Sequence, residues 1–598
     1  MINSIWTKTI LIFSLLFLPL VYSFAQSSPK SQWFQEARYG MFIHWGLYSA
    51  AEGLWKGEKL RYLNNYAEWI RYRNRISKDE YGTLAKRFDW GTIDPEQWVI
   101  LAKEAGMKYI IMTSKHHDGV AIWDTKVGSY SLPKLAGSDR DILKELAESC
   151  RKHGMKLGFY YSHWIDWEHP YAWDHNQELK GRVTDAQFDQ YWQEKVIPQL
   201  TELLTDYGDI ALMWFDMWIP YQKSIIKKEQ LLQVAQLIRK LQPNCLINSR
   251  LGLPTDENTV DFETLGDNQF GTSYVNHPWE TPGTIAHSWG YNGQENEWKS
   301  TSQIFQSLIS NVSLNGGLTL NIGPRANGMV PYESIQRLHD VGNWLKSYGT
   351  SIYGATGLPF RTGQHDWGYL TSKTKDNSTF VYAQVFNWPL DRILRVSGIE
   401  NTPKEVYLQQ GNKQKQLHFT QNGPLLHIDL GSEQPDHYVS NIVLRYDNRL
   451  QLNKEVVAES TFGGFALTPS NSDNKDFKIE KYDGKRPNRV LLNPEKDLTW
   501  KVYIPEPGEY HFDVSAHNPN ETNNSIQIKV DKNIVTGQLT PDGLLVAEPN
   551  ENNYTPEFTD RRIGSITFPA KGMYTIKLAN NGSNAYWFNR LWIGENIF

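Results

Sequence analysis

An isolated carboxylate in an apolar segment is the first candidate for chemistry in this sequence. Asp216 lies in ALMWFDMW, residues 211–218, where its neighbours are large apolar side chains. Such neighbours exclude water, so the carboxylate stays ionised only if nearby groups donate hydrogen bonds to it. A rigid, ionised carboxylate suits a nucleophile that attacks the anomeric carbon of a glycoside. The same residue could instead bond loop amides, and both interpretations remain open on this stretch alone.

Other polar side chains that could take part in chemistry follow several of the apolar runs. They are His44, His116, His117, Tyr160, Arg250, Glu263 and Glu280. A single histidine after a strand is more often structural than functional. Here several separate runs are followed by His, Tyr, Arg or a carboxylate, and packing alone explains that convergence poorly. If the runs are strands of one barrel, these polar groups meet at its C-terminal rim.

Three kinds of site fit such a set of residues. The first is metal-assisted hydrolysis, but His116 and His117 are adjacent and would point to opposite faces of a strand. The sequence also lacks H-x-H and H-E-x-x-H spacings, so we predict no metal and no other cofactor. The second is glycoside hydrolysis by two carboxylates, and the third is a sugar-binding protein without turnover. The second explains Asp216 best.

The segments that must position these residues alternate between apolar runs and amphipathic stretches from residue 39 to about 355. The predicted strands are 39–46, 108–119, 156–164, 210–218, 245–252, 259–266 and 317–324. Several of the intervening helix-like segments begin with Asp or Ser and end with Gly, as capped helices do. This alternation predicts an α/β fold, a (β/α)8-like barrel. A doubly wound open sheet is the alternative, although no glycine-rich phosphate loop follows the first strand.

We predict four consecutive parts of the chain. They are a signal peptide at residues 1–25, a (β/α)8-like barrel at 26–360, a β-sandwich at 361–450 and an accessory β-rich domain at 451–598. The first has one lysine, an apolar stretch and small residues near its end, as signal peptides do. After residue 360, short alternating runs separated by turn residues replace the helical pattern. The last part either binds carbohydrate through rings such as Trp587 and Tyr586 or only packs.

Charge and cysteine content exclude several classes of partner. The 598 residues carry a net charge of −5, and removal of residues 1–25 would bring it to −6. This charge is too small to favour nucleic acid or an anionic membrane, and no membrane contact is predicted after cleavage of the signal. The protein is expected to be exported, periplasmic or secreted.

Cys150 and Cys245 are expected as buried free thiols rather than a disulfide. The 23 Trp and 31 Tyr favour contact with carbohydrate.

Seven motifs together resemble one known family. They are WFQEARYGMFIHWGLYSA (33–50), YAEWIRYR (66–73), TSKHHDGVAIWDT (113–125), GFYYS (158–162), MWFDMW (213–218), WETPGTIAHSWGYN (279–292) and SLNGGLTLNIGPRANGMVP (313–331). In order and spacing, over roughly residues 30–450, the chain is similar to glycoside hydrolase family 29, the retaining α-L-fucosidases. The resemblance implies a (β/α)8-like barrel followed by a β-sandwich, and no metal.

The resemblance also implies roles for individual residues. Asp216 matches the nucleophile. Residues that match groups contacting the sugar or the nucleophile are His44, Glu68, Trp69, His116, His117, Tyr160, Trp214 and Arg250. The acid/base of the family is not fixed in sequence, and Glu280 in WETPGTIAHSWGYN is the preferred candidate, with Glu263 as its rival. Pro282 stands where the family usually has Cys or Met, a departure within the same loop.

These residues predict an exo-acting α-L-fucosidase that cleaves terminal α-L-fucosyl linkages with retention. The predicted partner is a fucosylated glycan, and the sequence makes no prediction of oligomeric state. One alternative is an α-L-galactosidase of the same fold, because that sugar differs from fucose by a hydroxyl at C6. The other alternative is a glycan-binding protein without catalysis.

Overall fold

A computed structural model describes most of the chain. The described residues are 29–60, 66–174, 182–255, 259–360, 364–432, 434–474, 477–479, 489–542 and 558–595. The predicted signal peptide at residues 1–25 lies outside them and stays a prediction. Within the described residues, no helix combines the length and the apolar character needed to cross a membrane.

Parallel strands from the N-terminal part of the chain form a barrel, and neighbouring strands in the barrel follow one another in the sequence. They are β1 Tyr39–Ile43, β2 Tyr109–Lys115, β3 Lys156–Tyr161, β4 Leu212–Trp214, β5 Leu246–Ile247, β6 Glu263–Thr264, β7 Trp279–Thr284 and β8 Gly317–Ile322. In the described parts of the chain these eight strands form one sheet. A parallel bridge between Asn248 and Phe262 joins β5 to β6, the two edges of that sheet. The predicted (β/α)8-like fold is confirmed, and the open-sheet alternative is not observed.

Several barrel strands are buried along their whole length because both of their faces are covered. β1, β2, β7 and β8 are buried at every position, as expected where side chains fill the barrel and helices cover the outside. The predicted strands coincide with seven of the observed ones. The eighth, β7, was not predicted as a strand, because Pro282 and Gly283 interrupt it with residues that disfavour strands.

Helices surround the barrel. Those of the described chain are Gln32–Ala37, Leu47–Ala51, Ile70–Arg73, Lys78–Gly82, Pro95–Glu104, Leu132–Ala136, Ile142–His153, Asp185–Tyr191, Ile197–Thr205, Lys228–Leu241, Thr301–Ser313 and Tyr332–Tyr348. Three of the predicted Asp and Ser caps are present: Asp94 and Asp141 accept backbone N–H groups at 3.0 Å, and Ser300 does so at 3.2 Å. Gly154, at φ +66°, ends the helix Ile142–His153. Cys150 and Cys245 are buried free thiols, as expected.

Antiparallel strands form the remainder of the described chain. A first pair of sheets contains Thr356–Gly357, Gln364–His365, Gly368–Lys375, Ser378–Val385, Ile393–Ser397, Glu405–Gln410, Lys413–Gln416, Phe419–Asn422, Leu425–Asp429 and Ser440–Tyr446. A second pair contains Phe465–Leu467, Val490–Leu492, Asp497–Ile504, Gly508–His517, Asn524–Val530, Asn533–Leu539, Thr559–Phe568, Gly572–Asn580 and Tyr586–Glu595. Each pair has its own apolar core. We call these parts the sandwich and the C-terminal block.

Candidate active site

A pocket of about 320 Å³ opens at the C-terminal ends of the barrel strands. Its volume lies at the lower end of the range for ligand pockets, about 300–1,000 Å³, which suits a single sugar ring. The predicted residues that line it are His44, Glu68, Trp69, His116, His117, Tyr160, Trp214, Asp216 and Arg250. The pocket is also lined by Phe42, Tyr66, Arg73, Trp218, Gly266, Asp267 and Trp289.

Asp216 lies two residues beyond the end of β4, and its side chain is 15% exposed. Its Oδ1 accepts a hydrogen bond from Arg250 Nη1 at 2.9 Å, and its Oδ2 accepts one from the Tyr160 hydroxyl at 3.0 Å. His117 Nε2 lies 3.5 Å from the same Oδ2. Burial alone would raise the pKa of Asp216, but the His117 contact and the Arg250 charge outweigh burial and hold the pKa well below its usual range. Asp216 is therefore ionised at neutral pH.

The orientation of His117 follows from its second nitrogen. The Ser162 hydroxyl donates to the Ile165 carbonyl at 2.7 Å, so its oxygen is left to accept the Nδ1–H of His117 at 2.6 Å. This bond fixes the ring with Nε2 turned toward Asp216. The short turn after β3 thus aligns a histidine that comes from β2.

His44 and His116 follow β1 and β2 and present neutral rings to the pocket. Asn321 donates to the Trp289 carbonyl at 2.7 Å, so its oxygen accepts the Nδ1–H of His44, also at 2.7 Å. Burial lowers the pKa of His44 to about 3 and that of His116 well below its ordinary value. A neutral ring whose Nδ1 donates has Nε2 free to accept, which suits a sugar hydroxyl. The described residues contain no group of three or more His, Cys, Asp or Glu side chains that could hold a metal ion.

Glu68 and Trp69 form one side of the pocket. They belong to the short turn Ala67–Trp69, and Glu68 Oε2 accepts the backbone N–H of Gly290 at 2.9 Å. Burial raises the pKa of Glu68 to about 7, so this carboxyl exchanges its proton near neutrality. The Trp69 ring meets His117 edge to face at 5.4 Å. The Glu68 carboxyl and the Trp69 ring therefore lie beside the histidines. A sugar needs both kinds of group, a polar one for its hydroxyls and an apolar one for the face of its ring.

Trp214 supports the two groups that hold Asp216. It is the last residue of β4, and its ring stacks on Tyr160 at 5.5 Å and 27°. The guanidinium of Arg250 lies 5.1 Å from the centre of the same ring. The Trp214 ring thus contacts both Tyr160 and Arg250, which donate hydrogen bonds to Asp216.

Asp267 is a second carboxylate in the pocket, and the sequence reasoning missed it. It follows β6 by three residues, and its Oδ1 accepts a hydrogen bond from Arg250 Nη2 at 2.6 Å. Burial and the negative charge of Asp216 raise the pKa of Asp267 despite the nearby Arg250. The available signal was its position in the loop after a barrel strand, where catalytic groups are found.

The two predicted acid/base candidates lie outside the pocket. Glu280 is the second residue of β7, completely buried inside the barrel, with Trp214 Nε1 donating to its Oε1 at 2.7 Å. Burial raises its pKa, opposed by four hydrogen-bond donors. Glu263 pairs with His277 at 2.6 Å, and its side chain is 41% exposed. The acid/base role of Glu280 therefore stays a prediction: a carboxyl near the start of a barrel strand points into the layered interior rather than to the rim.

Comparisons with known proteins find similar chains of one kind. A family model described as Alpha-L-fucosidase matches residues 20–350. An alpha-L-fucosidase of Dictyostelium discoideum is 27% identical over 402 residues, which is 64% of this chain and 84% of that protein. A crystal structure of an alpha-L-fucosidase from Vibrio sp. strain EJY3 is 25% identical with a TM-score of 0.74, covering 96% of this chain and 99% of its own.

A further solved structure covers more than two thirds of the chain. It is an alpha-L-fucosidase from Bacteroides thetaiotaomicron, trapped as a covalent intermediate in complex with 2-fluoro-fucosyl fluoride. It is 27% identical with a TM-score of 0.62 and covers 70% of this chain and 97% of its own. The family model spans more than half of the chain and includes the strands that carry the pocket. The chain therefore belongs to the alpha-L-fucosidase family of glycoside hydrolases.

Proposed function

We propose that this enzyme removes terminal α-L-fucosyl residues from glycans with retention of configuration, through an ester on Asp216. The observation that carries the proposal is a carboxylate kept ionised by Arg250, Tyr160 and His117 in a pocket sized for one sugar. A pocket of that size admits the end of a chain rather than its middle, which favours exo action. Its covalently trapped relative supports the same chemistry.

In the proposed first step, an oxygen of Asp216 attacks the anomeric carbon while the bond to the leaving oxygen breaks. Asp267 gives its proton to that oxygen, and the aglycone leaves as an alcohol. In the second step a water attacks the same carbon, Asp267 takes a proton from the water, and the Asp216 ester is cleaved. Two inversions restore the original configuration of the released fucose.

Asp267 suits the acid/base role because of its position and charge environment. Arg250 donates to both carboxylates, which places them close together, as a retaining pair about 5–5.5 Å apart must be. The negative charge of Asp216 raises the pKa of Asp267 and favours its protonated form before the first step. Once Asp216 is esterified, that charge is gone, so the pKa of Asp267 falls and the residue can act as a base.

The other pocket residues suit recognition of fucose hydroxyls and of its apolar methyl group. His44 and His116 offer neutral ring nitrogens, and Glu68 offers a carboxyl that can accept or donate near neutral pH. The Trp69 and Trp214 rings supply flat apolar surface against which a sugar face can pack. The two histidines, Glu68 and Trp214 are buried, and an unmatched polar group there would be costly, which favours a sugar with the matching hydroxyl pattern.

Covalent trapping tests the nucleophile. Incubation with 2-fluoro-fucosyl fluoride should add one 2-fluoro-fucosyl group, which peptide mass spectrometry should locate on Asp216. Asp216→Ala should remove both the label and turnover of an aryl α-L-fucoside. Asp209→Ala, at an exposed carboxylate just before β4, is the matched control and should retain both. A label on a different residue would refute the assignment.

A further inference from the structure

We infer that Glu280 is a positioning residue, which orients Trp214 and through it the two donors that hold Asp216. The inference rests on the proposed nucleophilic role of Asp216. It assigns a role to a carboxyl that the pocket itself does not contain, and it is argued from the contacts of that carboxyl inside the barrel.

Both oxygens of Glu280 are engaged by neutral donors from neighbouring strands. Oε1 accepts Trp214 Nε1 at 2.7 Å and faces Thr264 Oγ1 at 3.4 Å. Oε2 accepts the hydroxyl of Thr319 and faces that of Tyr109 at 3.2 Å. Residues of β2, β4, β6 and β8 thus converge on one side chain of β7. A completely buried carboxyl with this many partners is locked in place.

The Tyr109 and Thr319 hydroxyls form a chain that ends on Glu280. Their oxygens are 2.6 Å apart, so one donates to the other. If Tyr109 donates to Thr319, the single hydroxyl proton of Thr319 is directed to Glu280 Oε2. This arrangement satisfies every group with Glu280 as acceptor and leaves Oε1 directed at the indole N–H of Trp214.

The indole bond fixes the Trp214 ring in its own plane. The Trp214 ring packs between the Phe42 edge at 5.1 Å, the Tyr160 face at 5.5 Å and the Arg250 guanidinium at 5.1 Å. Stacking alone permits a ring to slide, whereas one short N–H bond removes that freedom. Since Tyr160 and Arg250 donate directly to Asp216, a shift of Trp214 would move both donors.

Glu280→Met and Glu280→Gln separate this role from an acid/base role. Methionine keeps the volume but removes the acceptor, so we expect kcat and kcat/KM to fall together by about 10- to 100-fold while KM holds. Glutamine retains an oxygen for the indole, and the Thr319 and Tyr109 hydroxyls can rotate to accept from its amide, so it should recover most of the rate. If Glu280 were the acid/base, glutamine would be as impaired as methionine and azide would restore turnover; that result would overturn the inference.

A second variant covers the case in which Glu280→Met does not fold. Trp214→Phe removes the N–H and keeps an aromatic face, so it should lower kcat as Glu280→Met does. Where Glu280→Met does fold, the double variant should show no further loss, because the two changes break the same contact. Additive losses, or a lower melting temperature with an unchanged kcat, would reduce Glu280 to a purely structural residue.

The labelling rate with 2-fluoro-fucosyl fluoride distinguishes failure of this inference from failure of the proposed function. If wild type is not labelled at Asp216, the proposed function fails. If wild type is labelled and Glu280→Met is labelled equally fast, the positioning role fails while the function stands. Slower labelling of Glu280→Met, restored by Glu280→Gln, supports the inference.

Discussion

At the scale of single residues, Arg250 holds the two carboxylates of the pocket by donating a hydrogen bond to each. Its charge stays in place when buried, and the neighbouring Asp216 and Asp267 raise its pKa further against the opposing effect of burial. Although both carboxyls bond the same guanidinium, the pKa of Asp216 is lowered and that of Asp267 is raised. In the proposed mechanism, environment therefore separates a nucleophile from a proton donor of the same residue type.

The acid/base role of Asp267 predicts a loss that depends on the leaving group. Asp267→Ala should lower kcat/KM by about 10²–10⁴-fold for a glycan or a poor aryl leaving group, because protonation of the leaving oxygen is lost. A highly acidic aryl leaving group needs little protonation, so its release should suffer much less. Azide, which needs no base, should then speed turnover of that substrate.

The pH profile provides the second measurement for Asp267. Wild-type kcat/KM should fall as pH rises through the raised pKa of this carboxyl, since the deprotonated form cannot act as an acid. Asp267→Asn should lose that alkaline limb. Glu263→Ala, whose carboxyl pairs with His277 outside the pocket, is the control and should keep wild-type rates. Azide rescue of Glu263→Ala instead of Asp267→Ala would contradict the assignment.

The residues that could be predicted from sequence are those whose local surroundings are unusual. Asp216 is conspicuous because it follows a buried strand, and its prediction needed no knowledge of distant residues. Asp267 is one of several acids in an ordinary polar loop, and only its bond to Arg250 marks it. Glu280 resembles an active carboxyl in sequence, yet its register in β7 turns it inward, which the local sequence does not reveal.

At the scale of elements, the barrel could be predicted where strands are apolar and helices are capped. β7 could not be predicted because its residues include Pro282 and Gly283. Its stability comes from the strands on both sides rather than from its own β-strand propensity. It pairs with β8 from Glu280 to Thr284 and with β6 through Trp279 and Glu280. Tertiary pairing of this kind overrides local preference, and local preference is what sequence reasoning measures.

A buried ion network joins three elements just behind the pocket. Lys115, the last residue of β2, contacts Asp166 at 3.0 Å, and Lys195 from the helical segment before Ile197–Thr205 contacts the same carboxylate at 2.8 Å. Asp166 also accepts the backbone N–H groups of Glu168 and His169, which shapes the loop after β3. Because Lys115 directly precedes His116 and His117, the network anchors the end of the strand that delivers both histidines.

Asp166→Asn should therefore destabilise the barrel strongly. The change keeps the shape but leaves two buried ammonium groups without their shared carboxylate, which costs about 3–5 kcal/mol when one partner of a buried pair is removed. The measurement is the midpoint of urea unfolding followed by tryptophan fluorescence. Asp560→Asn, at the exposed contact with Arg590, should leave the midpoint unchanged. Equal midpoints for the two variants would rule out a stabilising role for the network.

At the scale of the whole molecule, the sandwich packs against the helix Tyr332–Tyr348 on the outside of the barrel. Trp344 donates to the Val439 carbonyl at 2.9 Å, and the Tyr438 hydroxyl donates to Asp340 at 3.0 Å. Val439 is completely buried and belongs to the same apolar core as the barrel. The sandwich thus completes the barrel core on that side, which makes the two a structural unit.

The C-terminal block contacts the sandwich through both polar and apolar groups. Glu459 accepts hydrogen bonds from Arg395 at 3.1 Å and His427 at 2.6 Å, and Asn422 donates to the Pro505 carbonyl at 2.9 Å. Leu425 of the sandwich inserts into the core of the block.

A chain that ends at Lys454 should fold and keep its activity on a small substrate. This end point retains the bonds from Glu400 to the Gln451 carbonyl and from Asn453 to the Gly398 carbonyl, which close the sandwich. The pocket is built entirely from barrel residues, so kcat/KM for an aryl α-L-fucoside should match that of the full chain.

Leu425 would become exposed, so the truncated chain with Leu425→Gln should be the more soluble form. A truncated chain with native circular dichroism but no turnover would show that the C-terminal block supports the pocket at a distance. Full activity on the small substrate would instead mean that the C-terminal block serves larger glycans or the stability of the protein. Assaying the full and truncated chains on a fucosylated polymer tests the first of these roles.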